Sequence, residues 1–221
     1  MTLDKIGLNY RTDKTSPYHT YTPVYDHWFT PYRDSHIIFL EIGLGDLNSQ
    51  NREGESLYMW RDYFPNATII GIDNDENKLY HRRNDSSNRE ERIYTTVCDQ
   101  TDEKGLKDIV FKFGHPTIIV DDGSHISSKT VDSFNILFPL LKSGGLYCIE
   151  DTVAPAYWES WGGQETIFDS MFMKYFSVLT HFINLERKEN FPNPPKIETQ
   201  DWIKEIESIH FYRSQIIIKK K

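Results

Sequence analysis

Ile37-Ile38-Phe39-Leu40-Glu41-Ile42-Gly43-Leu44-Gly45 is the stretch on which the fold of this chain turns. An apolar, β-branched run that stops at two glycines reads as a buried strand entering a tight turn. Glu41 sits inside the run, and a carboxylate is costly to bury unless something bonds to it, so it points to a site. Gly43 and Gly45 permit backbone angles closed to other residues and let a ligand come close to the main chain. In an open α/β sheet, the crevice after the first strand is where a nucleotide-like cofactor lies.

Outward from this strand, extended and helical patterns alternate. Further strands are predicted at 68–73, 93–98, 117–120 and 146–149. Helices are predicted at 55–63, at 103–111 and through Val131, Phe134, Leu137 and Leu141, where the apolar spacing is helical. A long apolar helix is expected near 164–184. Strands at 207–212 and 215–219 flank Arg213-Ser214 as a hairpin that adds one antiparallel edge strand. The fold class is therefore α/β, a doubly wound and mostly parallel sheet with a C-terminal antiparallel hairpin. Residues 1–35 are polar and aromatic, with a short helix at 23–29 behind Thr22, and are expected to pack as an N-terminal arm on a domain spanning 36–221. The charged stretch 74–91, with Arg82, Arg83 and Arg89, reads as a solvated helix and loop.

A length of 221 residues with 38% hydrophobic side chains suits one domain with a sizeable core. A formal charge of −8 argues against a nucleic-acid partner. No run approaches the ~20 apolar residues that span a bilayer. The opening Met1-Thr2-Leu3-Asp4-Lys5 has no signal-peptide pattern, and a cytoplasmic location is expected. Cys98 and Cys148 fall in buried strands and read as free thiols.

Carboxylates gather where the strands end: Glu41, Asp73, Asp99, Asp121, Asp122, Glu150 and Asp151. In such folds this edge of the sheet binds ligands. Asp73, closing the second strand, suits the two hydroxyls of a ribose. Asp99 with Gln100 suits the amino edge of an adenine. Helix capping is the competing use for Asp73 and Asp99. The dinucleotide fingerprint would need glycine at position 48, where Asn48 stands, so a nicotinamide cofactor is disfavoured. S-adenosylmethionine has a ribose, an adenine and a charged tail but no phosphates, and Glu41 would support the ammonium or water around that tail. A non-catalytic S-adenosylmethionine-binding regulator is the rival, but it has no use for the second constellation. There Asp122, Glu150 and Asp151 would repel one another unless bridged by a cation, and oxygen ligands favour Mg²⁺ or Mn²⁺. Such an ion acidifies a substrate hydroxyl, and His125, three residues after Asp122, suits proton transfer near neutral pH. Tyr157, Trp158 and Trp161 read equally as an aromatic substrate wall or as core.

These residues resemble the S-adenosylmethionine-dependent sugar O-methyltransferases of the mycinamicin and macrocin type. The likeness runs through Tyr10-Arg11-Thr12-Asp13-Lys14, Leu40 to Gly45, Ser56 to Pro65, Asp99-Gln100, Asp121-Asp122-Gly123-Ser124-His125, Gly144 to Asp151 and Tyr157-Trp158. It implies that Asp122, Glu150 and Asp151 bind the metal and that His125 is the general base. It also implies that Glu41, Asp73, Asp99 and Gln100 are cofactor contacts, with Gly43, Gly45 and Asp121 counted beside them. The expected partner is a small sugar-like acceptor, with no nucleic acid or membrane, in a homo-oligomer. No counterpart of the auxiliary domain of longer family members is found in these 221 residues. Substrate identity is expected to reside after Trp158, where the likeness fades.

Overall fold

In the computed structural model of the protein, residues 1–45, 55–78, 92–153, 171–184 and 201–221 are described. The decisive stretch forms β1 (Ile38–Ile42). It lies between β2 (Thr68–Asp73) and β4 (Ile118–Asp121), paired in parallel with both, so it is buried from both edges. With β3 (Ile93–Val97), β5 (Leu146–Ile149), β6 (Ile206–Tyr212) and β7 (Gln215–Lys220), the order is β3-β2-β1-β4-β5-β7-β6. The first five run parallel. The closing hairpin adds two antiparallel strands rather than one: β7 pairs with β5, and β6 forms the edge.

Strand alternation sends successive side chains to opposite faces, and the two cores follow from it. On one face Phe39, Ile69, Ile118 and Val120 meet α1 (Leu3–Tyr10), α2 (Thr22–Phe29) and α3 (Glu55–Tyr63) through Leu3, Tyr25, Phe29 and Trp60. On the other, Leu40, Ile70, Ile119 and Tyr147 meet α4 (Glu103–Phe113), α5 (Ser127–Leu137) and α6 (Met171–Asn184) through Leu106, Phe134 and Phe176. The first face is therefore covered by α1, α2 and α3 together.

Local chemistry sets the ends of these elements. Pro23 stands in the first turn of α2, where its missing N–H costs nothing. Asp102 caps α4 by accepting from the Gly105 N–H at 3.1 Å. The helix α1 has no counterpart in the sequence expectation; its eight residues carry only three buried positions, Leu3, Ile6 and Gly7. Arg92 has a structural use, donating to the carbonyls of Arg61, Phe64 and Ala67 behind α3. Among the described residues, no helix is long and apolar enough to cross a membrane.

Candidate active site

At the C-terminal edge of the parallel strands lies a cavity of about 480 Å³, within the size range of small-ligand sites. Gly43, Gly45, Asp73, Asp99 and Gln100 line one part of it, and Asp122, His125 and Asp151 another.

The first part is shaped by backbone geometry. Gly43 has φ of +88°, and a Cβ there would lie 1.9 Å from the carbonyl oxygen of Asp122. The close approach that this glycine permits is thus made by the backbone just past β4, and the turn after β1 is locked onto the turn after β4. Asp73 accepts from the N–H of Leu44 (Oδ2, 2.9 Å) and of Asp75 (Oδ1, 2.9 Å), so its carboxylate holds the turns after β1 and β2 while remaining in the cavity wall. Asp99 accepts from Thr101 and from Lys129, and capping of α4 falls to Asp102 instead. Gln100 is buried, at 6% exposure. Its Oε1 accepts from the Ser124 N–H at 2.8 Å, which fixes the amide and leaves Nε2 buried without a partner among the described residues. An unpaired buried donor in a cavity wall is costly and is well suited to an acceptor on a ligand.

The second part is built by the N-terminal arm. Lys14, only 2% exposed, places Nζ 2.6 Å from Asp122 Oδ2, 2.6 Å from Glu150 Oε2 and 3.5 Å from Glu41 Oε1. Tyr25 donates to Glu150 Oε1 at 2.6 Å, and Tyr21 donates to Asp151 Oδ1 at 2.7 Å. Burial alone would push the Lys14 ammonium down, but Asp122, Glu150 and Glu41 outweigh it and hold the group well above its ordinary value. Burial lifts Glu41 to about 7, against the pull of Lys14 and the hydrogen bonds from Ser56 and Trp60.

Facing the cavity, ligand atoms of Asp122, His125 and Asp151 all lie within 4.8 Å of one another, close enough to share one cation. His125 Nε2 is 4.0 Å from Asp122 Oδ1 and 3.7 Å from Asp151 Oδ2. His125 and Asp151 both occupy the left-handed region, with φ of +56° and +50°. Backbone strain of this kind collects at functional sites.

The structure groups the expected residues differently in three places. Glu150, expected beside Asp122 and Asp151, is bonded at both oxygens by Lys14 and Tyr25, and His125 completes the converging group. Glu41 shares the face of Phe39 beneath the arm, and the ammonium it meets is that of Lys14. Asp121 points with Ile119 to the opposite face, where Ser133 and Tyr147 donate to it, and burial lifts it to about 6. Among the described residues these three are absent from the cavity lining. Tyr157, Trp158 and Trp161 lie outside the described residues. Sequence reasoning missed Lys14, Tyr21 and Tyr25. The available signal was alternation, which puts Glu41 on the Phe39 face and so calls for a cation from whatever covers it.

No family model matches the chain. It is 32% identical over 216 residues to 8-demethyl-8-alpha-L-rhamnosyl tetracenomycin-C 2'-O-methyltransferase of Streptomyces olivaceus, covering 98% of this chain and 54% of that protein. To mycinamicin VI 2''-O-methyltransferase of Micromonospora griseorubida it is 33% identical over 219 residues, 99% of this chain and 52% of the relative. The MycE methyltransferase of the mycinamycin pathway, solved with Mg and SAH, superimposes with a TM-score of 0.82 at 32% identity. The chain is a relative of the mycinamicin- and macrocin-type sugar O-methyltransferases. It spans about half the length of the relatives just described. MycE is likewise matched over 53% of its chain, with all of this one covered. The sugar O-methyltransferase likeness thus embraces the N-terminal arm as well as the sheet.

Proposed function

We propose that the protein is an S-adenosylmethionine-dependent O-methyltransferase acting on a hydroxyl of a sugar or sugar-like metabolite with the help of a divalent cation. The observation that carries this reading is a single cavity that joins an unpaired buried donor, Gln100 Nε2, to a carboxylate–histidine group at one sheet edge. When bound, S-adenosylmethionine supplies an electrophilic methyl group and a divalent cation acidifies a nearby hydroxyl. The chain's own residues do the rest. Gln100 donates to a ring nitrogen of the adenine, and Asp73 keeps acceptor capacity for the ribose. Asp122 and Asp151 would hold the cation, with Mg²⁺ or Mn²⁺ favoured by their oxygens. His125 takes the proton of the acceptor hydroxyl, and Tyr21 holds Asp151 in place beside it. Fixing both reactants in one cavity supplies much of the rate.

Calorimetric titration with S-adenosylmethionine, followed by turnover of rhamnosylated acceptors with and without Mg²⁺, tests the proposal. Absence of cofactor heat in the folded protein would sink it. Gln100→Leu is expected to weaken cofactor binding by about tenfold, the worth of one buried hydrogen bond of about 1–2 kcal/mol. The same titration reads that loss.

Cys98 gives an independent check on where the cofactor sits. It lines the cavity at 6% exposure, and burial, assisted by Asp102 and Asp99, pushes its thiol up to about 11. At pH 8 its thiolate fraction is then about 100-fold below that of a thiol at the ordinary value. Slow alkylation is expected, slower still with S-adenosylhomocysteine present, as read by peptide mass spectrometry. Rapid labelling indifferent to the ligand would contradict the assignment of this cavity.

A further inference from the structure

We infer that Gln100 is a positioning residue for His125 as well as a cofactor contact, so that the turn carrying the base is held more firmly once the cofactor's adenine is bound. The inference rests on the methyltransferase reading above. In the sheet β3 and β4 are separated by β2 and β1, so the strands themselves do not join the turns that follow them. Gln100 joins them. Its side chain leaves the turn after β3, and its Oε1 accepts from the Ser124 N–H in the turn after β4, 2.8 Å away. The backbone from which it reaches is fixed: the Thr101 N–H donates to Asp99 Oδ1 at 2.9 Å, and the Asp102 N–H to the Asp99 carbonyl at 3.0 Å.

The turn after β4 is shaped to receive this amide. A Cβ at Gly123 would lie 2.7 Å from Gln100 Oε1 and 3.1 Å from Nε2, so glycine is what lets the amide press against the backbone there. The Asp122 end of the turn is tied to β1, its N–H donating to the Ile42 carbonyl at 2.9 Å. At the other end the Ser124 hydroxyl accepts from the Ile126 N–H at 3.3 Å, where α5 begins. His125 lies between, with φ of +56°. The bond from Gln100 thus ties the residue beside His125 to the far wall of the cavity.

An amide offers an acceptor at one end and a donor at the other. The Ser124 N–H is a donor, so it takes the oxygen and leaves Nε2 buried, with no partner among the described residues. An unpaired buried donor carries a penalty that favours any rotamer returning it to water, and each such rotamer releases Ser124. An acceptor on the bound cofactor removes that penalty. The cofactor then shifts the population towards the arrangement in which Ser124, and His125 next to it, are held. Cofactor binding and placement of the base share one side chain.

Backbone hydrogen exchange, read by mass spectrometry on peptides spanning residues 121–127 with and without S-adenosylhomocysteine, tests this. In wild type the ligand is expected to slow exchange at Ser124 by about tenfold, the worth of pairing one buried donor. In Gln100→Leu, at ligand concentrations shown by calorimetry to fill the site, that slowing should be absent. The variant's kcat at saturating S-adenosylmethionine should fall by about tenfold as well. A residue that only held the adenine would raise KM and leave this kcat at its wild-type value. Gly123→Ala pushes the amide away from Ser124 and should give the same two losses, and it decides if Gln100→Leu does not fold. Equal slowing in wild type and variant at matched occupancy, or a wild-type kcat in the variant, overturns the inference. Wild type that binds S-adenosylhomocysteine with no slowing at 121–127 overturns the inference alone. Wild type that gives no cofactor heat removes the methyltransferase reading itself, and the inference falls with it.

Discussion

His125→Asn is expected to lower kcat for methyl transfer by about 10²–10⁴-fold, the usual worth of a positioned general base, while S-adenosylmethionine affinity stays unchanged. Asparagine is the informative replacement. His125 has φ of +56°, and asparagine is among the few residues that accept the left-handed region readily. The substitution thus removes the titratable ring without asking the backbone to move. Cofactor affinity should hold because Gln100 and Asp73 are fixed by Ser124, Leu44 and Asp75 rather than by the imidazole. Single-turnover rates alongside calorimetry separate the two quantities. An unchanged kcat would remove His125 from the chemistry, and a parallel loss of cofactor binding would recast it as structural.

The second large effect is expected at Gly43. Gly43→Ala drives a methyl group to 1.9 Å from the Asp122 carbonyl oxygen, and because that atom is backbone it cannot swing aside. The added cost of φ at +88° falls on the same residue. Destabilisation of about 3 kcal/mol or more is expected, with loss of both cofactor and metal binding, since the turn after β1 and Asp122 are displaced together. Gly144→Ala is the matched control. It too has a positive φ, of +74°, but nothing lies within 4 Å of an added Cβ. Only the left-handed penalty of roughly 1–2 kcal/mol remains there. Equal losses of stability at the two positions in denaturant melts would show that steric locking at Gly43 is unimportant.

Most of the parallel sheet was legible because its strands are short apolar runs closed by acids or glycines. β2 and β5 fall where the pattern puts them, at Thr68–Asp73 and Leu146–Ile149. The site was legible as a set of strand ends but not as a geometry. Composition placed carboxylates together, whereas the period of two decides which face each one takes. Alternation sends Glu41 with Phe39, and Asp121 with Ile119, to opposite sides of the sheet. The arm was harder to read. Lys14, Tyr21 and Tyr25 lie in a polar and aromatic stretch whose local pattern says nothing about a partner more than a hundred residues away. Burial of Lys14 is a tertiary fact, set by three acids on two other loops and a strand.

That separation bears on the order in which the molecule can assemble. Lys14 and Glu150 are 136 residues apart, Tyr21 and Asp151 are 130, and Tyr25 and Glu150 are 125. On a ribosome, residues 14–25 emerge long before Glu150 and Asp151, so these contacts must wait while β1 to β5 are made. Closing such long loops costs entropy before any contact rewards it. The acidic corner can therefore close only once β5 has been made.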